Sequence, residues 1–327
     1  MTEVRHAAVA DRRYLVWKGY QRRAEVLAPR LGATPIFLGH RFRRRALRPF
    51  DYAEKLAVSL GRLRRPLPAC VFVQAPPAFT ALPAALLGVP YIVDAHNALI
   101  QGWWNRVPGT RRFVEGAVAV VVHNDEVAGL ARSRFPGVDP VVVMDPIEPI
   151  PGAAERTPGQ VLVIASFNAD EPVPLMIDVF RQLPDHTFVV TAEPAKLDGR
   201  TRRDLLALGN VRLTGFLPSP EYHALLASSA AALVLTTRPA TQPSGACEAL
   251  SSDTPLIVSH TSLTERLFGE WATLVRHDAA TIEAAIRALD GRARDLSAYR
   301  REWNARVESQ IQALEERIGD AMRRRRP

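Results

Sequence analysis

Cysteine is scarce in this chain, with two among 327 residues, Cys70 and Cys247. They fall on different expected elements, so they build neither a disulfide framework nor a metal-ligand spacing. A reduced, cytoplasmic chain is the simple expectation. Long apolar runs are missing too: no stretch reaches the roughly 18 uninterrupted apolar residues of a spanning helix. The opening MTEVRHAAVADRR lacks the apolar centre of a secretory leader. Almost all the positive charge is arginine, and the net charge is +8. The arginines gather at Arg41 with Arg43, Arg44 and Arg45; at Arg62, Arg64 and Arg65; and at Arg323, Arg324, Arg325 and Arg326. Arg44 and Arg45 are followed by apolar and proline positions, not by aromatic stacking partners, and no recognition motif accompanies the clusters, which argues against nucleic acid. A solvated surface and an anionic membrane surface remain as readings of the charge.

A length of 327 residues is more than one ordinary core supports, so two domains are expected. Strand-sized apolar runs alternate with helical patterns. In the first half they are 14–17, 34–38, 69–73, 90–93, 118–122 and 140–144; in the second, 161–166, 187–191, 211–214, 231–236, 255–259 and 273–275. Continuous Val/Ile/Leu runs mark strands buried on both faces. Strands separated by helices imply right-handed βαβ units and parallel sheets. Between the first two strands, Ala24, Leu27, Ala28 and Leu31 have helical spacing that ends at Gly32. Residues 145–160 are rich in Pro and Gly and form the expected linker. The fold class is thus α/β, with two Rossmann-like domains facing across a cleft and a ligand at the carboxyl ends of the strands. The expected boundaries are 1–150, 151–295 and 296–327, the last a helix. There Trp303, Val307, Ile311, Leu314, Ile318 and Met322 form one apolar stripe, suited to packing back across the domain interface.

Residues 236–259, TTRPATQPSGACEALSSDTPLIVS, carry the most chemistry. They read as a strand end, a polar loop, a short helix and a buried strand. Ser244-Gly245-Ala246 lets a ligand approach the backbone closely, and free N–H groups at a helix start suit a phosphate. Glu248, expected in the first turn of that helix, suits sugar hydroxyls. Its plainer account is an acid complementing the helix dipole. An ordinary N-cap turn is the plainer account of Ser244-Gly245.

Together with VRLTGFLPSPEYHALLASSAAALVLTT, IVDAHN and AVAVVVHNDEVAGLA, this segment resembles the GT-B glycosyltransferases, in particular the GT4-like (group 1) branch. The resemblance implies a retaining, metal-independent transfer with no resident cofactor. The sugar would move from a nucleotide-diphosphate sugar, UDP being expected, to a saccharide or lipid-linked acceptor, in the cytoplasm or at the inner face of an anionic membrane. It implies that Gly215, Phe216 and Leu217 flank the base and that Glu248 holds the ribose. Thr237 and the backbone of Ser244, Gly245 and Ala246 would meet the diphosphate. It also implies that His96 lies near the reacting centre, and that Gly19, with Gln21, Arg22 and Arg23, faces the phosphates or acceptor from the first domain.

Two departures stand out. The family's first glutamate, eight residues before Glu248, is Ala240 here, with Thr241 or Gln242 as substitutes. The Arg and Lys that usually follow the first strand of the second domain are replaced by SFNADEPVP (166–174), and Arg238 is the first candidate to supply the charge, with a catalytic role beside His96. Asp170 and Glu171 read as caps of the following helix. His123 and Asn124 read as turn residues, and Trp103 and Trp104 as core, interface or acceptor wall. A different class of function follows from the same departures: a catalytically silent glycosyltransferase-like binding or assembly subunit. A nucleotide-sugar epimerase fits less well, because no set of catalytic carboxylates is evident.

Overall fold

The computed structural model describes residues 11–42, 44–150, 155–289 and 295–324, the Arg45 side chain apart. Arg43, Arg325 and Arg326 of the basic clusters, most of the expected leader-free N-terminus and residues 151–154 of the expected linker lie outside them. The chain divides into two compact units, 1–146 with 305–327, and 147–304.

The first unit runs β1 (Arg12–Val16), α1 (Arg22–Arg30), β2 (Ala33–Phe37), α2 (Arg48–Leu63), β3 (Cys70–Ala75), α3 (Leu82–Leu86), β4 (Tyr91–Ala95), α4 (Asn97–Ile100), α5 (Thr110–Glu115), β5 (Ala119–Val122), α6 (Asp125–Arg134) and β6 (Val141–Val142). Its sheet has the order β2-β1-β3-β4-β5-β6, all parallel. Every residue of β3, β4 and β5 is buried, as a sheet covered on both faces requires. α1 stops where expected, with Gly32 at φ 59°, a left-handed conformation that glycine adopts without strain.

The second unit runs β7 (Thr157–Val163), α7 (Val173–Gln182), β8 (Thr187–Val190), α8 (Gly199–Leu206), β9 (Val211–Leu213), α9 (Ser219–Ser228), β10 (Ser229–Val234), α10 (Ser244–Ser251), β11 (Leu256–Ser259), α11 (Ser262–Phe268), β12 (Ala272–Val275) and α12 (Ala279–Arg287). Its order is β12-β11-β10-β7-β8-β9, again parallel. Val161, Val163, Phe180, Phe188, Leu233 and Ile257 anchor a core on one face of this sheet, where Phe180 stacks on Phe188 with centroids 4.1 Å apart. All twelve expected strands are present.

A last helix, α13 (Ser297–Arg324), starts in the second unit and ends in the first. Its stripe is buried from Trp303 to Ile318. Trp303 stacks on Phe268 within the second unit, while Arg12–Glu315 and the bond from Met144 N–H to Gln310 Oε1 (2.9 Å) tie it within the first. Residues of the expected linker are held at both of its described ends. Ile147 exchanges hydrogen bonds with Asn304 (3.0 and 2.8 Å), Ile150 N–H donates to Ser251 O, and β7 already begins at Thr157.

Candidate nucleotide-sugar site

In the second unit the chain lays down β7, β8 and β9 on one side, then crosses back to begin β10 beside β7. Loops leaving the carboxyl ends of β7 and β10 therefore diverge, and that crevice is where such sheets take ligands. α10 is steered into it by Gly245. A Cβ there would sit 2.8 Å from Ile164 Cγ2 and 3.4 Å from Val234 Cγ1, so only glycine lets the helix start rest against the ends of both strands. Pro243 at the cap offers no side-chain hydrogen bond to the first turn, and Ser244 is exposed. That leaves the helix dipole and N–H groups of Ser244 and Gly245 at the switch point. Ala246 drops out of the expected phosphate seat. It is fully buried and its N–H already donates to Pro243 O (3.1 Å).

Glu248 is the fifth residue of α10, and the first turn holds no acid. It therefore lies in the second turn, beyond the short reach of the helix dipole, which weakens the plainer account of it. It is half-buried, and Tyr222 of α9 donates its phenolic hydrogen bond to one carboxylate oxygen. That contact, invisible in the sequence, fixes the carboxylate's orientation. Gly215 follows β9 with φ 62° and packs against the Glu193 carboxylate, so the turn needs glycine. The turn projects Phe216, 70% exposed, with Leu217 half-buried behind it.

The loop after β7 departs from its expected role. Asp170 and Glu171 do not cap α7, whose cap is Pro172. Phe167 has φ 51°, and the Ser166 and Phe167 N–H groups converge on the Glu171 carboxylate (2.9 and 2.8 Å). Successive N–H groups in this arrangement form an anion nest, and here the chain's own carboxylate fills it. Burial pushes the Glu171 pKa up, against the pull of those N–H groups. Asp170 binds the end of β10, accepting from Thr236 Oγ1 (3.0 Å) through its side chain and from Thr237 N–H (2.7 Å) through its carbonyl. Arg238 lies 3.9 Å from the Asp170 carboxylate and is part-exposed. Lys196 donates to Ser166 O (2.7 Å) and brings a cation to the loop that lacks the family's Arg and Lys. The sequence held one hint of it, a lysine in a chain whose cations are almost all arginine. Ala240 is buried, as is Gln242, so neither restores the absent carboxylate.

In the first unit the switch point lies between β1 and β3. Arg23, expected to meet a phosphate or a solvated face, does neither. Its side chain is 4% exposed and donates to Asp94 Oδ1 (3.0 Å), to Asp145 and to Val143 O (2.8 Å). Two buried carboxylates balance its charge, so it ties Asp94 to Asp145 and is withdrawn from the phosphate role. Burial opposes ionisation of Asp94, but the Arg23 charge, His96 and Tyr14 Oη (2.6 Å) hold its pKa far below the usual carboxylate range. His96, half-buried at the start of α4, places Nε2 3.0 Å from Asp94 Oδ2. A carboxylate-oriented imidazole therefore stands at the carboxyl edge of β4. His123 is buried beside the cluster; burial and then Arg23 lower its pKa to about 4, so it is neutral at pH 7. Asn124 caps α6 through Val127 N–H (2.8 Å), as its turn role requires. Gly19 is exposed and faces the backbone of Gly39, Gln21 caps α1 through Ala24 N–H, and Arg22 is half-buried beside Asp145. Trp103 is exposed and stacks on Trp104, at 4.2 Å between centroids.

The family model described as "Glycosyl transferase-like" matches residues 174–320. That segment contains Gly215, Tyr222, Arg238, Gly245 and Glu248. The two parallel six-stranded sheets have the order of the GT-B fold. Sucrose-phosphate synthase from Thermosynechococcus elongatus matches with TM-score 0.62 and 14% identity, over 95% of this chain and 97% of that one. HepE of Anabaena, solved with UDP-glucose, matches with TM-score 0.61 and 13% identity, over 96% and 98%. TarM matches with TM-score 0.55 and 14% identity over 82% of this chain, which spans only 58% of TarM's length. At such identities the likeness establishes the GT-B fold. No curated protein matches by sequence.

Proposed function

We propose that this chain is a glycosyltransferase that uses a nucleotide-diphosphate sugar, with UDP as the expected nucleotide. The observation that carries the reading is α10. Gly245 seats its uncapped start at the switch point, and Glu248 stands one turn further on. The diphosphate takes the N–H groups of Ser244 and Gly245. Glu248 accepts from the ribose hydroxyls, and the base lies against Gly215-Phe216-Leu217. Thr237 donates a hydrogen bond to the diphosphate, and Arg238 and Lys196 neutralise the leaving group as the bond from the anomeric carbon to the diphosphate oxygen breaks. The anomeric carbon bonds to the acceptor hydroxyl oxygen, and the hydroxyl proton passes to the departing diphosphate oxygen. His96, oriented by Asp94, contacts that acceptor hydroxyl, with Gly19 and Arg22 on the same edge of the first unit. The reaction is proposed to retain configuration and to need no metal or resident cofactor.

The structures solved with UDP or UDP-glucose support the donor class, and that of TarM with α-GlcNAc-glycerol and UDP supports a saccharide-bearing acceptor. A lipid-linked acceptor and peripheral contact with an anionic membrane complete the reading; no described helix is long and apolar enough to cross a membrane. The test is transfer and donor binding with UDP-, GDP- and dTDP-sugars, comparing the wild type with Glu248→Ala. Unchanged donor binding in the variant removes the site assignment.

Glu171 favours a second reading. An anion nest filled by the chain's own carboxylate, together with Ala240, suits a subunit that folds like a transferase without transferring. Thermal stabilisation by millimolar UDP or GDP separates the two: the transferase is stabilised, the silent subunit is not.

A further inference from the structure

A basic cluster at the edge of the first sheet opposite His96 takes no part in sugar transfer. α2 descends from the carboxyl edge and ends at Leu63, and the chain then crosses under the sheet to begin β3 at Cys70. Gly61, Arg64, Arg65, Leu67 and Leu87 line a pocket of about 440 Å³ there, within the usual range of ligand pockets. Arg62, Arg64 and Arg65 are all exposed. None of the three makes an ion pair among the described residues, and from Lys55 to Val93 the sequence contains no Asp or Glu. Arginines at a helix C-terminus complement its dipole, which accounts for Arg62 and Arg64. It does not account for Arg65, which lies past the end. Nor does it account for Leu67, which lines the same pocket and is 56% exposed, or for Leu86, the residue before the pocket's Leu87, which is 61% exposed. Cations without counter-charges beside leucines facing water match a surface that is anionic at its headgroups and apolar just beneath.

We infer that the Arg64–Arg65 pocket, flanked by Leu67 and Leu86, is a docking site for the phosphate headgroups of an anionic phospholipid bilayer. It rests on the membrane contact proposed above and gives that contact a place. The guanidinium groups take the phosphate oxygens, and the two leucines enter the boundary below the headgroups. His96 and the carboxyl edge stay on the far side of the sheet from this contact.

Sedimentation of the full chain with phosphatidylcholine vesicles, with and without phosphatidylglycerol, tests the inference. Binding is expected only with phosphatidylglycerol. Arg64→Ala/Arg65→Ala is expected to weaken partitioning about thirtyfold, from about fivefold per arginine at an anionic surface. Leu67→Ser/Leu86→Ser weakens it at fixed lipid charge. Arg202→Ala/Arg203→Ala removes the same charge from the second unit and leaves it close to wild type. Equal losses from both arginine pairs, binding to neutral vesicles, or no vesicle binding would each overturn the inference. So would Arg64- and Arg65-dependent binding of free glycerol phosphate without vesicle binding. UDP affinity, measured on the same proteins, is expected to be unchanged by the Arg64, Arg65, Leu67 and Leu86 substitutions. A wild type that binds vesicles but no nucleotide would sink the donor reading and leave this one standing.

Discussion

Tyr222 and Glu248 act as a pair, and neither is interpretable without the other. The sequence singles out Glu248 through its motif, but Tyr222 lies 26 residues earlier on another helix, and only the fold brings them together. Tyr222→Phe should weaken UDP binding about tenfold, the worth of one hydrogen bond to a charged group. It should leave a 2′,3′-dideoxy analogue unaffected; equal losses for both nucleotides would mean that Tyr222 merely packs. Glu171 poses the opposite case. If its carboxylate competes with a donor phosphate for the Ser166 and Phe167 N–H groups, Glu171→Ala should raise affinity for UDP more than for uridine, as calorimetry would show. His123 supplies a pH signature. Its folded pKa, about 4, lies below its ordinary 6.5. The stability it contributes is therefore present above pH 6.5 and lost as pH falls toward 4, a difference of about 3 kcal/mol. Chemical denaturation at several pH values should show a shallower acid loss for His123→Gln than for the wild type.

At the scale of elements, strand and helix positions were legible because buried parallel strands leave continuous apolar runs and glycine ends helices. Gly32 and Gly215 both have the positive φ that a turn there demands. The start of α10 was less legible. Its loop read as a phosphate seat, but only the packing of Gly245 on Ile164 explains why the helix begins there, and the same packing buries Ala246 and moves Glu248 into the second turn. Gly245→Ala should cost about 1–3 kcal/mol by overpacking and lower donor affinity, because the helix start must lift. Ile164→Ala removes the colliding Cγ2 and should restore part of that affinity in the double variant. If the combination is simply additive, the docking argument fails.

For the whole molecule, α13 is the element to test. Residues 305–324 belong to the first unit, where Val307, Ile311, Leu314 and Ile318 are buried. At roughly 1.5–3 kcal/mol for each buried side chain, their loss approaches the whole stability of a typical domain. A chain ending at Asn304 should therefore lose hydrogen-exchange protection in β1 through β6. The second unit, which keeps Trp303 against Phe268, should stay protected and still bind UDP. Retained protection in β1 through β6 would refute the packing argument.

The sequence by itself determined the two parallel sheets, the helix stripe and the segment that carries Glu248, because these follow from local periodicity and short-range motif spacing. Tertiary structure decided everything that depends on residues distant in the chain. It buried Arg23 at the carboxyl ends of the strands between Asp94 and Asp145, brought Lys196 to the loop after β7, and turned Glu171 onto that loop's own N–H groups. The reason is that a charge's role depends on which partners the fold sets within hydrogen-bond distance, and spacing along the chain does not record that.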